Sequence, residues 1–464
     1  MVRLLNYKLP SGLPAGSRAA WSRALVQPLG ADLLTPFSFS VLAEVLGRAW
    51  YLHYDRLGFD PMPRARVVRQ HNGRAYFNLT MSAQREAEHA ALEPVTFKID
   101  GTPFPVVKVE KGGFLAAIKA GQNLRKLTRT ARTLAEESAA LDQTVRQWYA
   151  RVLEMRWTQA EILFIMEEIE PRATETLLPF LAARNGILLH VNRLMRLANQ
   201  PPTETLRQID RGLGNDGVLE AEIARRLNRM AARVSPAQRE WIENGDPADW
   251  KTRLGDATLV SEVEKFLADY GHRAANLGEI AEPRWNDDLR PLLRALLTPP
   301  PAPAANDAHA VSVLLAAVDA RERKAAQESV DELRVLVPLQ SRALDAFAWV
   351  LAGTRRWVWG AGREAMSDKR LTDLDVIFFY ELEEIKQMMT GEWNISDRHR
   401  IVSTADKRKA DYELWRVATA PDLMIGESAA ETLDRLEPSC VLEPSVHLAA
   451  AMRQRTATVA EATS

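Results

Sequence analysis

Ser261-Glu-Val-Glu-Lys-Phe-Leu-Ala-Asp-Tyr-Gly271-His-Arg-Ala-Ala-Asn-Leu-Gly-Glu-Ile-Ala-Glu-Pro-Arg-Trp285 holds a helix, its stop and a knot of polar groups in one run. Val263, Phe266, Leu267 and Tyr270 fall at i, i+3, i+4 and i+7, one face of a helix. Ser261 with Glu264 reads as a capping pair at its start, and Gly271 as the left-handed residue that ends it. His272 and Arg273 follow at once, and Pro283-Arg284-Trp285 comes shortly after. Guanidinium groups and an imidazole just past a helix end suit the handling of phosphate. The bland readings stand beside that one. His272 and Arg273 can bond the last helix carbonyls, and Trp285 can simply be a buried indole.

Working outward, Ser235-Pro236 with Gln238 gives another N-cap and capping box. From about Phe114 the chain reads as successive helices, with Leu163, Met166 and Ile169 on one face. Glu167, Glu168 and Glu170 read as a solvated cluster near a helix end before Pro171. Upstream, Asn72-Gly73 between β-favouring runs predicts a hairpin, because both turn positions need positive φ. Short β segments are also expected at 95–99 and 105–109, and a strand at 374–379. Leu382, Ile385, Met388 and Met389 mark a further amphipathic helix. The expected fold is mainly α and multi-helical with a small N-terminal β element, α+β overall. Its divisions are an N-terminal segment (1–110), a helical region (111–297), a Pro-rich linker (298–306), a C-terminal helical region (307–452) and a disordered tail (453–464).

Composition narrows the function. Of 464 residues 46% are hydrophobic and 26% charged, and the net charge of -1 offers no basic field for nucleic acid. The single cysteine, Cys440, excludes an internal disulfide framework and any cysteine-based zinc cluster. No signal peptide and no apolar run of about 18 residues is evident, so a cytoplasmic protein without a membrane span is expected. Gly-x-Gly-x-x-Gly, Walker A and His-Glu-x-x-His patterns are absent, and no metal site is expected. His190, in Ile187-Leu-Leu-His-Val-Asn192, reads as a core histidine or a pocket wall. Trp349, Trp357 and Trp359 read as core or as walls for an aromatic ligand. Arg342, Arg355, Arg356 and Arg363 read as a solvated face.

Phe266-Leu-x-x-Tyr-Gly-His-Arg273 followed by Pro283-Arg-Trp285 resembles the central, acceptor-binding domain of rifampin phosphotransferase and other phosphoenolpyruvate-utilising enzymes. Trp21 with Thr35-Pro36, Gly73-Arg-x-Tyr-x-Asn-Leu79, Asp375-Val-Ile-Phe-Phe-x-Glu-Leu-x-Glu384 and Tyr412 to Gly426 resemble further segments of that family in the same order. The resemblance thus spans roughly residues 15–428. It implies that ATP's β-phosphate passes to a histidine on a swivelling domain and then to an acceptor. This chain matches only the acceptor-binding piece. After the His-Arg pair the family shows Gly-x-Gly-Glu-x-Asp. Here Ala274, Asn276, Leu277 and Glu279 occupy the segment, which leaves Glu279 as its acid.

The resemblance implies the acceptor-binding subunit of a split, ATP-dependent phosphotransferase, similar to phenylphosphate synthase. His272, Arg273 and Glu279 are the expected catalytic residues, and Arg284, Trp285, His190 and Trp349 the expected acceptor-binding ones. No cofactor is expected on this chain. ATP and Mg are expected on an ATP-grasp partner subunit, and the phosphohistidine on a swivel-domain partner. The expected acceptor is a phenol or alcohol; nucleic acid and membrane are not expected partners. A non-catalytic small-molecule-binding protein, or a scaffold, is the alternative. Arg273→Ala is expected to abolish transfer and spare the fold.

Overall fold

The computed structural model describes residues 3–7, 19–23, 26–30, 32–59, 65–90, 97–99, 102–103, 114–244, 246–303, 307–393, 395–425 and 436–441. Its strands are β1 (Arg3–Tyr7), β2 (Ala20–Ser22), β3 (Val68–His71), β4 (Arg74–Asn78), β5 (Phe97–Ile99), β6 (Thr102–Pro103), β7 (Leu423–Ile425) and β8 (Leu436–Val441). The first helices are α1 (Pro36–Arg56), α2 (Leu79–Ala90), α3 (Phe114–Leu153), α4 (Gln159–Leu197), α5 (Pro202–Leu213), α6 (Leu219–Ala231) and α7 (Pro236–Asn244). They are followed by α8 (Trp250–Leu254), α9 (Ala257–Tyr270), α10 (Arg290–Leu297), α11 (Ala308–Ala316), α12 (Arg323–Ser367), α13 (Leu382–Thr390) and α14 (Arg398–Val417). The fold is therefore mostly helical with a small β element, as the patterning predicts.

Three helices of 40, 39 and 45 residues, α3, α4 and α12, form the central bundle. At about 1.5 Å per residue each is roughly 60 Å long. α12 packs against both α3 and α4, and α1 lies on α4. The Trp357 indole N–H donates to the Ile162 carbonyl at 2.9 Å and ties α12 to α4. An 18-residue window of α12 reaches a mean hydropathy of 1.3, and 83% of that window is buried inside the fold. Its apolar character is that of the central helix of the bundle.

The hairpin forms as predicted, with Asn72 at φ 45° and Gly73 at φ 69° between β3 and β4. The sheet it belongs to, ordered β3-β4-β2-β7, is closed by a strand from the far end of the chain. The second sheet is ordered β6-β5-β1-β8. Residues 105–109 and 453–464 lie outside the described residues.

Several local expectations are corrected. Asp375–Phe379 is a 3-10 turn, with Ile377 and Phe378 buried, where a strand was expected. α4 runs straight through Pro171 and Pro179. Burial of Ala173, Thr174, Leu177 and Leu178 beyond Pro171 outweighs the lost hydrogen bond, a cost of about 3 kcal/mol. Of the glutamates before Pro171, Glu167 is exposed, whereas Glu168 and Glu170 are structural ties: Glu168 accepts from Trp148 Nε1 at 2.9 Å and pairs with Arg151, and Glu170 pairs with Arg48 at 3.1 Å and with Lys386. The capping box of Ser235 and Gln238 is present. α9 instead begins one turn before Ser261, where Asp256 accepts from the Thr258 and Leu259 amides. Gly271 has φ -62° and is not left-handed. A Cβ there would sit 2.1 Å from Asn286 Oδ1, so close approach explains the glycine.

Candidate functional site

The loop after α9 folds back on itself. The Trp285 amide donates to the Arg273 carbonyl and the Asn286 amide to the Gly271 carbonyl, both at 2.9 Å. This ladder brings the Gly-His-Arg and Pro-Arg-Trp segments together in space.

His272 is fully buried, and its Nε2 lies 3.1 Å from Asp345 Oδ1. Arg273 donates to the same oxygen at 2.9 Å and, through its other terminal nitrogen, to Glu220 Oε1 at 3.1 Å. Glu220 also accepts from the Ser341 hydroxyl, which itself accepts from the Leu219 amide at 2.9 Å. Ser341, Asp345 and Trp349 repeat every four residues on α12 and form one face of that helix. The Trp349 ring stacks on His272 with centroids 3.6 Å apart and planes 10° from parallel. From α3, Arg146 lies 4.8 Å over Trp349 and 3.7 Å from Asp345 Oδ2, and Tyr149 touches Trp349 at 5.0 Å.

Burial pushes the Asp345 carboxyl up, yet His272, Arg273 and Arg146 outweigh it and hold it at about 2. Burial also disfavours the Arg273 charge, but Asp345 and Glu220 more than offset this and raise its pKa. For His272 burial wins over the attraction of Asp345, so its pKa falls below the usual imidazole value and the ring is neutral near pH 7.

Arg284 presents the opposite case. It is 3% exposed, and one terminal nitrogen donates to the Leu277 carbonyl at 3.3 Å. Its Nε and other terminal nitrogen have no partner. Burial, then the neighbouring Arg355, lowers its pKa to about 10. Arg355 is 6% exposed and donates to the Ile280 and Ala281 carbonyls at 2.7 Å and to Asp287 at 3.3 Å. Its place is inside the fold, against the solvated face expected from sequence. Arg356, half exposed, pairs with Asp287 at 2.6 Å. Tyr149 lies within electrostatic reach of Arg356 and Arg284, which joins the two halves of the cluster.

Glu279 is buried at the N-terminus of α1. It accepts from the Thr35 amide (2.6 Å), the Thr35 hydroxyl (2.9 Å), the Ser38 hydroxyl (2.6 Å) and the Ala281 amide (2.7 Å). Burial raises its pKa against those hydrogen bonds. Its carboxylate thus anchors the loop to a helix start, where the macrodipole favours negative charge. Trp285 packs on Phe266 at 5.5 Å in the core between α6, α9 and α10. His190 stands apart from the cluster. Gly186, one turn earlier, abuts Leu336, and His190 feels Arg132, which pairs with Glu332. Glu332 and Asp345 are about 20 Å apart along α12 at 1.5 Å per residue.

Sequence reasoning singled out His272, Arg273, Arg284 and Trp349, which the fold gathers. It missed Asp345, Glu220, Arg146 and Tyr149. Among the described residues no group of three or more His, Cys, Asp and Glu side chains is arranged to hold a metal ion. No curated protein matches the chain. Residues 178–364, which contain the His272–Arg273–Arg284–Asp345–Trp349 cluster but neither Arg146 nor Thr35, match the family model of the rifampicin phosphotransferase fourth domain, so the chain carries a domain like those of the phosphoenolpyruvate-utilising enzymes.

Proposed function

We propose that this chain is the acceptor-binding component of an ATP-dependent phosphotransferase, taking its phosphoryl group from a phosphohistidine on a partner chain. ATP and Mg would be held by a separate ATP-grasp partner. The observation that carries the reading is Arg284. A guanidinium 3% exposed with two nitrogens that lack a hydrogen-bond partner is costly unless an anion completes it. Phosphoryl transfer asks its host mainly for positioning and charge neutralisation, and Arg284 beside Arg355 supplies both. Arg273 works differently: its donors are committed to Asp345 and Glu220, so it shapes the site around His272. The acceptor is a small hydroxyl compound, an alcohol or phenol, set against Trp349 and His272.

The test is reconstitution. The chain mixed with its ATP-grasp and phosphohistidine partners, ATP and a panel of phenols and alcohols should form AMP and phospho-acceptor only when this chain is present. AMP formation independent of it, or nucleotide consumption by the chain alone, would overturn the reading. A second reading, a binding protein without turnover, draws on Glu279: the one acid of the loop is wholly occupied by four donors. Acceptor binding with no phosphorylated product in the complete mixture would favour it.

A further inference from the structure

Two stacked rings in the site each leave one nitrogen without a partner: Nδ1 of His272 and Nε1 of Trp349, both buried. Most buried ring nitrogens find a partner. The bare Nδ1 of His190 shows that this alone does not mark a site, and what sets His272 apart is its carboxylate-held Nε2 and its stacked indole. Here one nitrogen is tightly held and the other is bare, and the identity of the held one decides what the ring does.

Asp345 is ionised, since Arg273 and Arg146 face it together with His272. A carboxylate without a proton only accepts hydrogen bonds, so at 3.1 Å the Nε2 of His272 is the donor. A neutral imidazole carries one N–H, so Nδ1 holds the lone pair. We infer that Asp345 is a positioning residue that locks His272 with its proton on Nε2, making Nδ1 the atom that accepts the proton of a bound hydroxyl. Arg273 on the same Asp345 oxygen and the parallel Trp349 ring fix the plane of the imidazole. An unpartnered acceptor calls for a donor, and a hydroxyl is the acceptor class whose O–H must be relieved as it attacks phosphorus.

The hydroxyl's role rests on the proposed phosphotransfer; the locked ring does not. In the step, the acceptor oxygen bonds to phosphorus as the P–N bond of the partner's phosphohistidine breaks. The hydroxyl proton moves to Nδ1, and the imidazolium formed keeps its Nε2–H on Asp345. The departing imidazole retains the P–N electron pair and is protonated in turn, which returns His272 to neutrality. Asp345 never takes the proton.

The test uses the whole chain with its histidine rings labelled with 15N, the His272→Gln spectrum identifying the His272 signals. Near neutral pH, Nε2 should be protonated and Nδ1 bare. A proton on Nδ1 in the unaltered protein overturns the inference without need of any variant. In Asp345→Ala Nε2 loses the oxygen that accepts its proton, so the proton should no longer be confined to Nε2 and Nδ1 should carry it in part of the population; an unchanged ring would also overturn it. Phenol or benzyl alcohol should shift the Nδ1 resonance while anisole, which lacks the hydroxyl proton, should not. Silence to both hydroxyl probes removes the hydroxyl role. In the reconstituted system Asp345→Asn should lower kcat by about a hundredfold or more, with KM little changed. If Nδ1 responds to phenol yet the complete mixture forms no phenyl phosphate, the phosphotransfer reading fails and the locked ring stands.

Discussion

Arg273 and Arg284 are buried in one loop and live in opposite electrostatic states. Arg273 neutralises two buried carboxylates, Asp345 and Glu220. Its removal leaves Glu220 with the Ser341 hydroxyl and no cation, and Asp345 with only His272 and the more distant Arg146, so Arg273→Ala should destabilise the protein by about 3–5 kcal/mol, read as a lower urea midpoint. The sequence-based expectation that this substitution spares the fold is therefore revised, because neither carboxylate was visible in the local pattern. Among the described residues Arg284 makes no hydrogen bond to a carboxylate through its guanidinium, and burial with the neighbouring Arg355 outweighs the more distant attraction of Glu282, Glu279 and Asp287. Arg284→Met should leave stability unchanged or raise it by about 1–2 kcal/mol, while reducing phosphoryl transfer in the reconstituted mixture by at least about a hundredfold. A fall in stability comparable to that of Arg273→Ala would show that Arg284 serves the fold and not an anion. The pair also shows why functional surplus escapes sequence reading. Both arginines were singled out by their place in the loop, but only the three-dimensional count of partners separates the satisfied one from the unsatisfied one.

Helix α12 carries the site and its closest helix contacts along one stripe, Gly353 lying one turn beyond Trp349. Gly353 and Gly360, two turns apart, take the rings of Trp148 and Trp157, and a Cβ at Gly353 would meet the Trp148 ring at 2.3 Å. Alanine normally helps a helix interior by about 1 kcal/mol over glycine. Gly353→Ala should nonetheless cost about 1–3 kcal/mol, since the indole must shift within a packed core. A thermal midpoint above that of the unaltered protein would refute the close approach. The course of this helix was legible: its apolar positions repeat at helical spacing, and the capping signals and hairpin turn were legible for the same local reason. Asp345 was not, because one acid per few turns reads as a solvated face. Its immediate neighbours Leu344, Ala346, Phe347 and Ala348 are apolar, but Ser341 and Arg342 one turn earlier let it read as part of a polar stripe. Asp375–Phe379 misled in the other direction: a short apolar run has the same pattern as a buried strand or a buried turn. Closure of the small sheet by β7 was beyond any local pattern, because the pairing joins opposite ends of the chain.

For the molecule as a whole, burial of neutral histidines sets a limit in acid. Burial lowers His53 to about 4, and burial, then Arg193 and Arg132, lowers His190 to about 4. His53 Nε2 faces the Asn185 side-chain amide at 3.2 Å, a contact that needs an unprotonated nitrogen there when the amide donates. The unfolded chain binds a proton at each histidine below about pH 6.5, while the folded protein does so only near pH 4. The unfolded state thus holds more protons in that window, and stability must fall as pH falls. From about pH 7.5 to about pH 5 each histidine removes about 2 kcal/mol, and His272, also lowered by burial, acts in the same direction. Below about pH 4 the depressed Asp345 adds its own loss, since its folded pKa of about 2 lies under the ordinary aspartate value. Urea unfolding should therefore show a midpoint that drops steeply across this range, long before the carboxylates dominate. His190→Leu removes one of these groups without touching the site around Asp345, so the loss between the two pH values should shrink by about 2 kcal/mol in that variant. A midpoint flat with pH, or a His190→Leu profile parallel to that of the unaltered protein, would mean that His190 is protonated in the folded state and that the bundle around it is open to water.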